Sequence, residues 1–426
     1  MSTATLSQSL GAIVGAGNVA AQRPRFDLGE VPLACPASTD EVSELLKLAT
    51  RDSLRVIPIG LSSKLGWCGA PERVDFLLST RRLVGAVSHE PADGTICVRA
   101  GETMAELAAR VERGGHRLTP DVPHPERCTI GGVVAAGQSG LDRLRFGPVR
   151  DHVLGMQVVL GDGTIARTGG QLVKNVTGFD LHRLYAGSHG TLCVITEVSL
   201  RLFPAPEHEV VFIAHGTDLP RTLERARAAF ALPLRHVSIA LTSVDSPPKG
   251  ESWALIARLF GKRAAVEAER TALAKCWTPA TVKEGRGAAE FAAGFRDKTS
   301  FVGPERASFS ATCPPANAAA MAVELVRALD DRGLERRVVF QPFEARFDCA
   351  APAETDAGQL AELAKHARAI ALRHGGALHV RNAPLAALAG LDPFADDVAG
   401  LDLMRELKHK LDPGGVFARG RFVGGL

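Results

Sequence analysis

The chain has 426 residues, 46% of them hydrophobic and 23% charged, with a formal net charge of +3. That length exceeds one ordinary core and argues for two domains. The near-neutral balance, with no basic block interleaved with aromatics, speaks against nucleic acid as a partner. Eight cysteines are scattered without a CxxC pair, so neither an iron–sulfur nor a zinc framework is expected within the chain, and free thiols in a reducing cytoplasm are. The first residues lack the positive segment of a secretory signal, and no apolar run reaches membrane-spanning length. Any membrane association is expected to come through a partner.

In chain order, residues 1–30 read as a weakly ordered lead-in with a short helix. Gly15-Ala16-Gly17-Asn18-Val19-Ala20 fits GxGxxA on paper, but no strand precedes it and no βαβ unit follows, so a nicotinamide-type nucleotide site is not expected there. Organised structure begins at Cys35-Pro36. Ser38 and Glu41 have capping-box spacing, and Val42, Leu45, Leu46 and Ala49 recur at helical intervals. Strands are expected at Arg55–Ile59, Phe76–Ser79 and Thr95–Arg99, and a helix from Met104 to Val111 that Gly114-Gly115 ends. Val158–Leu160 and Thr164–Ala166 flank Gly161-Asp162-Gly163, a hairpin signal. A long apolar strand runs from Leu192 to Leu202.

Pro204-Ala205-Pro206 makes a stiff, non-helical connection and is read as the main boundary. Beyond it, strands near 209–214, 237–242, 254–260, 307–312, 337–347 and 378–381 alternate with helices near 219–231, 262–275, 316–331 and 359–374. The stretch 280–303 is ambiguous. This alternation predicts an α+β domain with helices on one face of a sheet. A helix from Leu401 leads into Asp412-Pro413-Gly414-Gly415-Val416-Phe417.

The densest signal lies between Thr129 and Pro204. Thr129-Ile130-Gly131-Gly132 and Ala135-Ala136 are small residues beside strand-like runs, which lets backbone approach something flat and anionic. Gly60-Leu61-Ser62-Ser63, after a strand, is a turn whose N–H groups and hydroxyls suit a pyrophosphate. With Lys174-Asn175-Val176-Thr177-Gly178-Phe179-Asp180-Leu181 and Gly187-Ser188-His189-Gly190-Thr191-Leu192, these segments occur in an order that resembles vanillyl-alcohol-oxidase-type flavoproteins. Within that family they look most like the FAD-binding subunits of glycolate-oxidising complexes. The tail from Asp412 to Arg421 resembles the family's closing segment.

The resemblance implies an α+β fold with a two-subdomain FAD-binding domain of the PCMH type at 31–206. An α+β cap domain at 207–400 and a C-terminal helix and tail at 401–426, returning to the FAD domain, complete it. It implies non-covalent FAD, held by Pro58, Ile59, Gly60, Leu61, Ser62, Ser63, Pro120, Thr129, Ile130, Gly131, Gly132, Ala135, Ala136, Ser139, Gly140, Gly190 and Ile195. It further implies oxidation of glycolate or another 2-hydroxy acid, with a catalytic flavin subunit and an iron–sulfur subunit as partners. A stand-alone FAD oxidoreductase with another small substrate, or a redox-silent assembly subunit, remain open alternatives.

Two departures from relatives stand out. The turn has Leu61 and Ser62 where relatives are richer in glycine, which narrows the accessible backbone. No histidine stands in the turn for a covalent flavin, and Cys128 reads as a buried apolar residue. Oxidising a 2-hydroxy acid needs a cation for the carboxylate and a base for the hydroxyl proton. His379 and Arg381, two apart on a predicted strand, face one way and are the candidates. His208 and His215 bracket a strand at an odd separation, so no shared metal is expected. Arg419 and Arg421 are candidates to approach the flavin through the tail. Lys174 and Asn175 are read as steadying the domain or a subunit contact.

Overall fold

The computed structural model describes residues 2–24, 29–171, 178–234, 237–244, 252–298, 301, 307–352, 354–388, 390–395 and 398–426. Lys174 and Asn175 lie outside the described residues. The first strands are β1 (Val19–Gln22), β2 (Val31–Ala34), β3 (Val56–Ile59) and β4 (Phe76–Ser79). They form a sheet in the order β1-β2-β4-β3, parallel except for the antiparallel β1–β2 pair. Helices α1 (Thr3–Val14) and α2 (Thr39–Arg51) pack with this sheet.

The leading segment is not a loose lead-in. Leu6, Leu10 and Val14 recur every four residues, so α1 presents one apolar stripe, and all three are buried with Leu45, Leu46 and Phe76. Gly15 to Asn18 then carry α1 into β1, with Asn18 Nδ2 donating to the Val14 carbonyl at 2.6 Å. In α2 the Ser38 side chain accepts from Glu41 N–H, while the Glu41 carboxylate reaches back to Ala37 N–H at 2.7 Å, one residue earlier than a capping box requires.

The next strands are β5 (Ala86–Glu90), β6 (Thr95–Arg99), β7 (His116–Arg117), β8 (Val153–Val159), β9 (Ile165–Gly169), β10 (Val194–Arg201) and β11 (Phe203–Pro204). Five of them make an antiparallel sheet in the order β5-β6-β10-β8-β9, and β7 pairs with β11. Among the described residues, four α-helices belong to this region: α3 (Met104–Arg113), α4 (Ile130–Ala135), α5 (Arg143–Phe146) and α6 (Leu181–Tyr185). A full capping box, Thr103 with Glu106, starts α3.

The remaining strands are β12 (His208–Gly216), β13 (Val237–Ser243), β14 (Trp253–Gly261), β15 (Thr281–Glu284), β16 (Ala307–Thr312), β17 (Arg337–Gln341), β18 (Arg346–Ala351) and β19 (Ala377–Asn382). They form one antiparallel sheet ordered β15-β12-β14-β13-β17-β18-β16-β19. Helices α7 (Leu219–Phe230), α8 (Arg263–Cys276), α10 (Ala318–Asp330) and α11 (Ala357–Arg373) cover one face around Phe212, Leu255, Phe309 and Phe347. Expected helices on one face alone need correction. The ambiguous stretch supplies β15 and α9 (Gly285–Lys298), and α9 packs on the opposite face, with Ala288 against Val211, Ile213 and Ile256. The single strand expected over 337–347 is a hairpin instead. Pro342 cannot donate to a ladder, and Ala345 turns with φ +49°.

Helix α12 (Leu401–Leu411) leads the chain back to the first half. Val56 N–H donates to Val416 O, Ala418 N–H to Val56 O, and Phe417 is wholly buried beside Phe76 and Leu45. Asp412 anchors this return: it accepts from Lys408 Nζ at 2.6 Å, Val416 N–H at 2.8 Å and Phe417 N–H at 3.0 Å. Lys408 Nζ also donates to Thr191 O at 2.7 Å. Removing one member of a buried pair strands the other charge, at about 3–5 kcal/mol. Asp412→Ala should lower unfolding stability by about that amount in denaturant titration, whereas alanine at exposed Arg419 should change it by less than about 0.5 kcal/mol.

Candidate cofactor site

Three stretches from the first half converge on a solvent-open cleft of about 710 Å³. The end of β3 and the turn after it contribute Pro58, Ile59, Gly60, Leu61, Ser62 and Ser63. The start and end of α4 contribute Thr129, Gly131, Gly132, Ala135 and Ala136, and the segment into β10 contributes Gly190 and Ile195. The other anticipated residues lie elsewhere. Ile130 points into the core behind the wall, Pro120 is buried in the loop before Asp121, and Ser139 and Gly140 line a second cavity.

The turn is built by close approach. A Cβ on Gly60 would stand 2.1 Å from Thr129 Oγ1, and that oxygen accepts from Gly132 N–H to cap α4. Gly131 likewise packs on Ala100, where a Cβ would meet the Ala100 methyl at 2.7 Å. The carbonyls of Ile59 and Gly60 accept from the hydroxyls of Thr80 and Ser79. The N–H groups of Leu61, Ser62, Ser63 and Lys64 have no acceptor among the described residues. Backbone donors left open on a cleft wall are what an anionic group needs. Leu61 does not carry the awkward conformation: the left-handed residue is Ser62, with φ +61°.

The sequence did not single out Lys64, Cys68, His189 or Cys193, which also line the cleft. Arg421 joins them through the tail; its guanidinium donates to Gly69 O at 2.8 Å and Leu65 O at 3.1 Å. Arg419 is exposed. Lys64 Nζ sits 3.1 Å from Cys128 Sγ, and burial holds its ammonium below the usual lysine range. Burial works against a Cys68 thiolate, but His189 and Arg421 outweigh it and bring the thiol down to about 7.

From the second half, His379 Nε2 lies 2.7 Å from the Trp67 carbonyl, and its ring stacks on Phe394 at 4.4 Å. His189 and Phe422 complete that aromatic group, with His189 5.6 Å from Phe422. Burial, with Arg381 and His189 nearby, pushes His379 down to about 3. Arg381 lies over the Trp67 ring at 4.6 Å and donates to Asp348 at 3.0 Å. His208 and His215 stand at opposite ends of β12, opposite Gly261 and Ala254, with His208 3.1 Å from Glu267.

A family model described as an FAD binding domain matches residues 32–169. Glycolate oxidase subunit GlcD of Bacillus subtilis (strain 168) is 32% identical over 191 residues, 45% of this chain and 41% of that protein. D-lactate dehydrogenase of Archaeoglobus fulgidus is 31% identical over 222 residues, 51% of this chain and 50% of that protein. Glycolate oxidase subunit GlcE of Escherichia coli (strain K12) is 42% identical over 123 residues, 29% and 35% of the two chains. The chain thus spans half or less of the length of these curated relatives. Among solved structures, an alkyldihydroxyacetonephosphate synthase matches 91% of this chain and 77% of its own at a TM-score of 0.65 and 17% identity. FgChi7B matches 97% and 98% at a TM-score of 0.71 and 14% identity. At those identities the likeness is one of fold.

Two outcomes are expected of this cleft. Gly60→Ala should purify with a much lower flavin-to-protein absorbance ratio, because its methyl displaces Thr129 from the cofactor wall. In protein stripped of FAD, iodoacetamide labelling of Cys68, followed by peptide mass spectrometry, should rise through a midpoint near about pH 7, while Cys349, pushed up to about 12 by burial, stays unlabelled. The matched residues, the donor-lined cleft and the returning tail lead to one conclusion: this chain carries an FAD-binding domain over residues 32–169, joined to an α+β domain, and FAD is its cofactor.

Proposed function

We propose that this chain is the FAD-binding subunit of a complex that oxidises glycolate or a related 2-hydroxy acid, working with a catalytic flavin subunit and an iron–sulfur subunit. The observation that carries this reading is the 42% identity to glycolate oxidase subunit GlcE of Escherichia coli. The likeness to a GlcD subunit and a D-lactate dehydrogenase points to the same substrate class.

In this reading residues 31–206 hold the cofactor, 207–400 cover it, and 401–426 tie the two together. The N–H groups of Leu61 to Lys64 would meet the pyrophosphate oxygens, and Gly131, Gly132, Ala135, Ala136, Gly190 and Ile195 would give it a wall free of bulky side chains. FAD, when bound, supplies the two-electron acceptor for a hydroxy-acid carbon. The chain's own groups position and shield. Burial, with Arg381 and His189 nearby, pushes His379 down to about 3, and its Nε2–H donates to the Trp67 carbonyl, so in this reading it anchors Trp67. Arg381 is held down to about 10 by burial and by Arg346, and so remains a cation at neutral pH.

The test is spectroscopic. The purified chain should be yellow, release all its flavin on acid precipitation, and capture the two partner subunits from a co-expressing cell. Anaerobic glycolate should bleach the flavin absorbance of the assembled complex. A fully folded but colourless chain would overturn the proposal, and glycolate turnover by the isolated chain would overturn its obligate-subunit part.

A further inference from the structure

Lys64 ends the turn whose N–H groups face the cofactor cleft, and Cys128 immediately precedes Thr129, whose Oγ1 occupies the space beside Gly60. Their side chains meet. Lys64 Nζ donates to Cys128 Sγ at 3.1 Å and to Ser63 Oγ at 3.2 Å. Both backbones are held: Trp67 N–H donates to Lys64 O at 3.0 Å, and Met104 N–H donates to Cys128 O at 2.8 Å. Cys128 is buried, yet its sulfur has no apolar seat. Besides Lys64 it meets Ser63 Oγ at 3.6 Å and Pro123 O at 3.4 Å. Both residues also line a further cavity, shared with His124 and Arg127, that gives a small oxidant a way in.

A buried lysine ordinarily has a carboxylate beside it, as Lys408 has Asp412. Among the described residues no carboxylate pairs with Lys64. Burial outweighs the help that Cys128 gives and holds the Lys64 ammonium below the usual lysine range. A larger share of Nζ is therefore free amine, a nucleophile in contact with sulfur. No second thiol contacts Cys128 Sγ among the described residues. An oxidised Cys128 has an amine for its neighbour and no disulfide partner.

We propose that Lys64 and Cys128 are a redox-modification site, in which a hydroperoxide oxidises the thiol and the lysine amine then closes a reversible sulfur–nitrogen bond. In the first step the sulfur electron pair attacks one peroxide oxygen. An S–O bond forms, the O–O bond breaks, and the hydroxide that leaves takes the thiol proton as water. Cys128 is now a sulfenic acid, which a nearby nitrogen condenses with. In the second step Lys64 Nζ attacks sulfur, the S–N bond forms, the S–O bond breaks, and hydroxide leaves with a proton from nitrogen as a second water. One peroxide is reduced, and the thiol and amine together lose two hydrogens. A dithiol reverses the link: it attacks sulfur, releases the amine, and closes its own disulfide as Cys128 returns to thiol. The link ties the turn to the start of α4 and removes the Lys64 cation from the cleft. Its effect on FAD rests on the reading of that turn as the seat of the pyrophosphate; the link itself does not.

The full-length, FAD-loaded chain is treated with hydrogen peroxide, its remaining thiols are blocked, and it is digested without reductant for mass spectrometry. The expected product is a Lys64 peptide joined to a Cys128 peptide, lighter by two hydrogens than the pair and opened by dithiothreitol. Lys64→Arg keeps a cation but lacks the amine, so Cys128 should there be captured by dimedone as sulfenic acid. After oxidation the apparent FAD dissociation constant of the wild type should rise about tenfold, as for loss of one charged hydrogen bond, and should recover with dithiothreitol. Cys128→Ser, treated alike, should show no rise. Should Lys64→Arg fail to fold, the wild-type digest and Cys128→Ser still decide. Wild-type Cys128 captured by dimedone with Lys64 unlinked, Cys128 left as free thiol, or a joined peptide that dithiothreitol does not open would each overturn the site. A joined, reducible peptide with unchanged FAD affinity leaves the site standing and removes Lys64 from the contacts of the cofactor.

Discussion

The structure depends on pairing the charged inner face of the eight-stranded sheet with the first half of the chain. One face of this sheet is apolar and lies under four helices. The opposite face carries Arg258, two residues from Ile256 on β14, and that guanidinium is buried at the junction. It meets Asp142 at 3.2 Å, Asp121 at 3.3 Å and Glu209 at 2.7 Å. Asp142 has no exposed side-chain surface and accepts also from Arg117 at 2.5 Å. Burial works against the Arg258 charge, but the three carboxylates outweigh it and hold the guanidinium above its usual range. Such a group is costly anywhere but against its partners. The sheet therefore has one seat on the first half, and Ser238 Oγ, donating to Leu141 O at 2.5 Å, shares it.

That seat places what the second half brings to the neighbourhood of the cleft. With the sheet docked, His379 reaches the Trp67 carbonyl and Arg381 covers the Trp67 ring. Trp67 ends the short helical turn that follows the Gly60–Lys64 cradle. The tail acts on the same segment from the other side, since Arg421 donates to the carbonyls of Leu65 and Gly69. A turn with open N–H groups has little internal reason to hold its shape. Here it is clamped by a sheet, a tail and the hydroxyls of Ser79 and Thr80, so its donors are presented without having to be ordered by the ligand.

Much of this was legible in the sequence, for physical reasons that also explain the rest. The period of α2 and the glycine-ended α3 are local signals, and so is the hairpin about Gly161–Gly163; each appears where the residues place it. The Gly60–Ser63 turn and the small residues of 131–136 were readable because close backbone approach leaves a compositional trace. Cys68, His189 and Arg421 left none. They matter through one another across 121 and 353 residues of separation, and no local pattern encodes that. The α1 stripe was visible but thin, with Leu6, Leu10 and Val14 spread among small residues. The Arg346-Phe347-Asp348 alternation was a signal passed over: a charged–apolar–charged run inside a strand marks a face that must find polar partners.

The two cavities differ in the kind of deficit they leave. Along the cofactor cleft the unmet groups are backbone N–H donors on a turn, suited to an extended anion and indifferent to its far end. In the second cavity, lined by Trp67, Gln138, Arg346 and Arg381, the unmet groups are side chains, and they include an acceptor beside the donors. Backbone donors are supplied by shape, so they tolerate substitution of the side chains around them, as Leu61 and Ser62 show. Side-chain donors are supplied by identity: Arg346 and Arg381 share Asp348, and the Glu344 carboxylate also acts on Arg346, so buried charges on this face are set against one another.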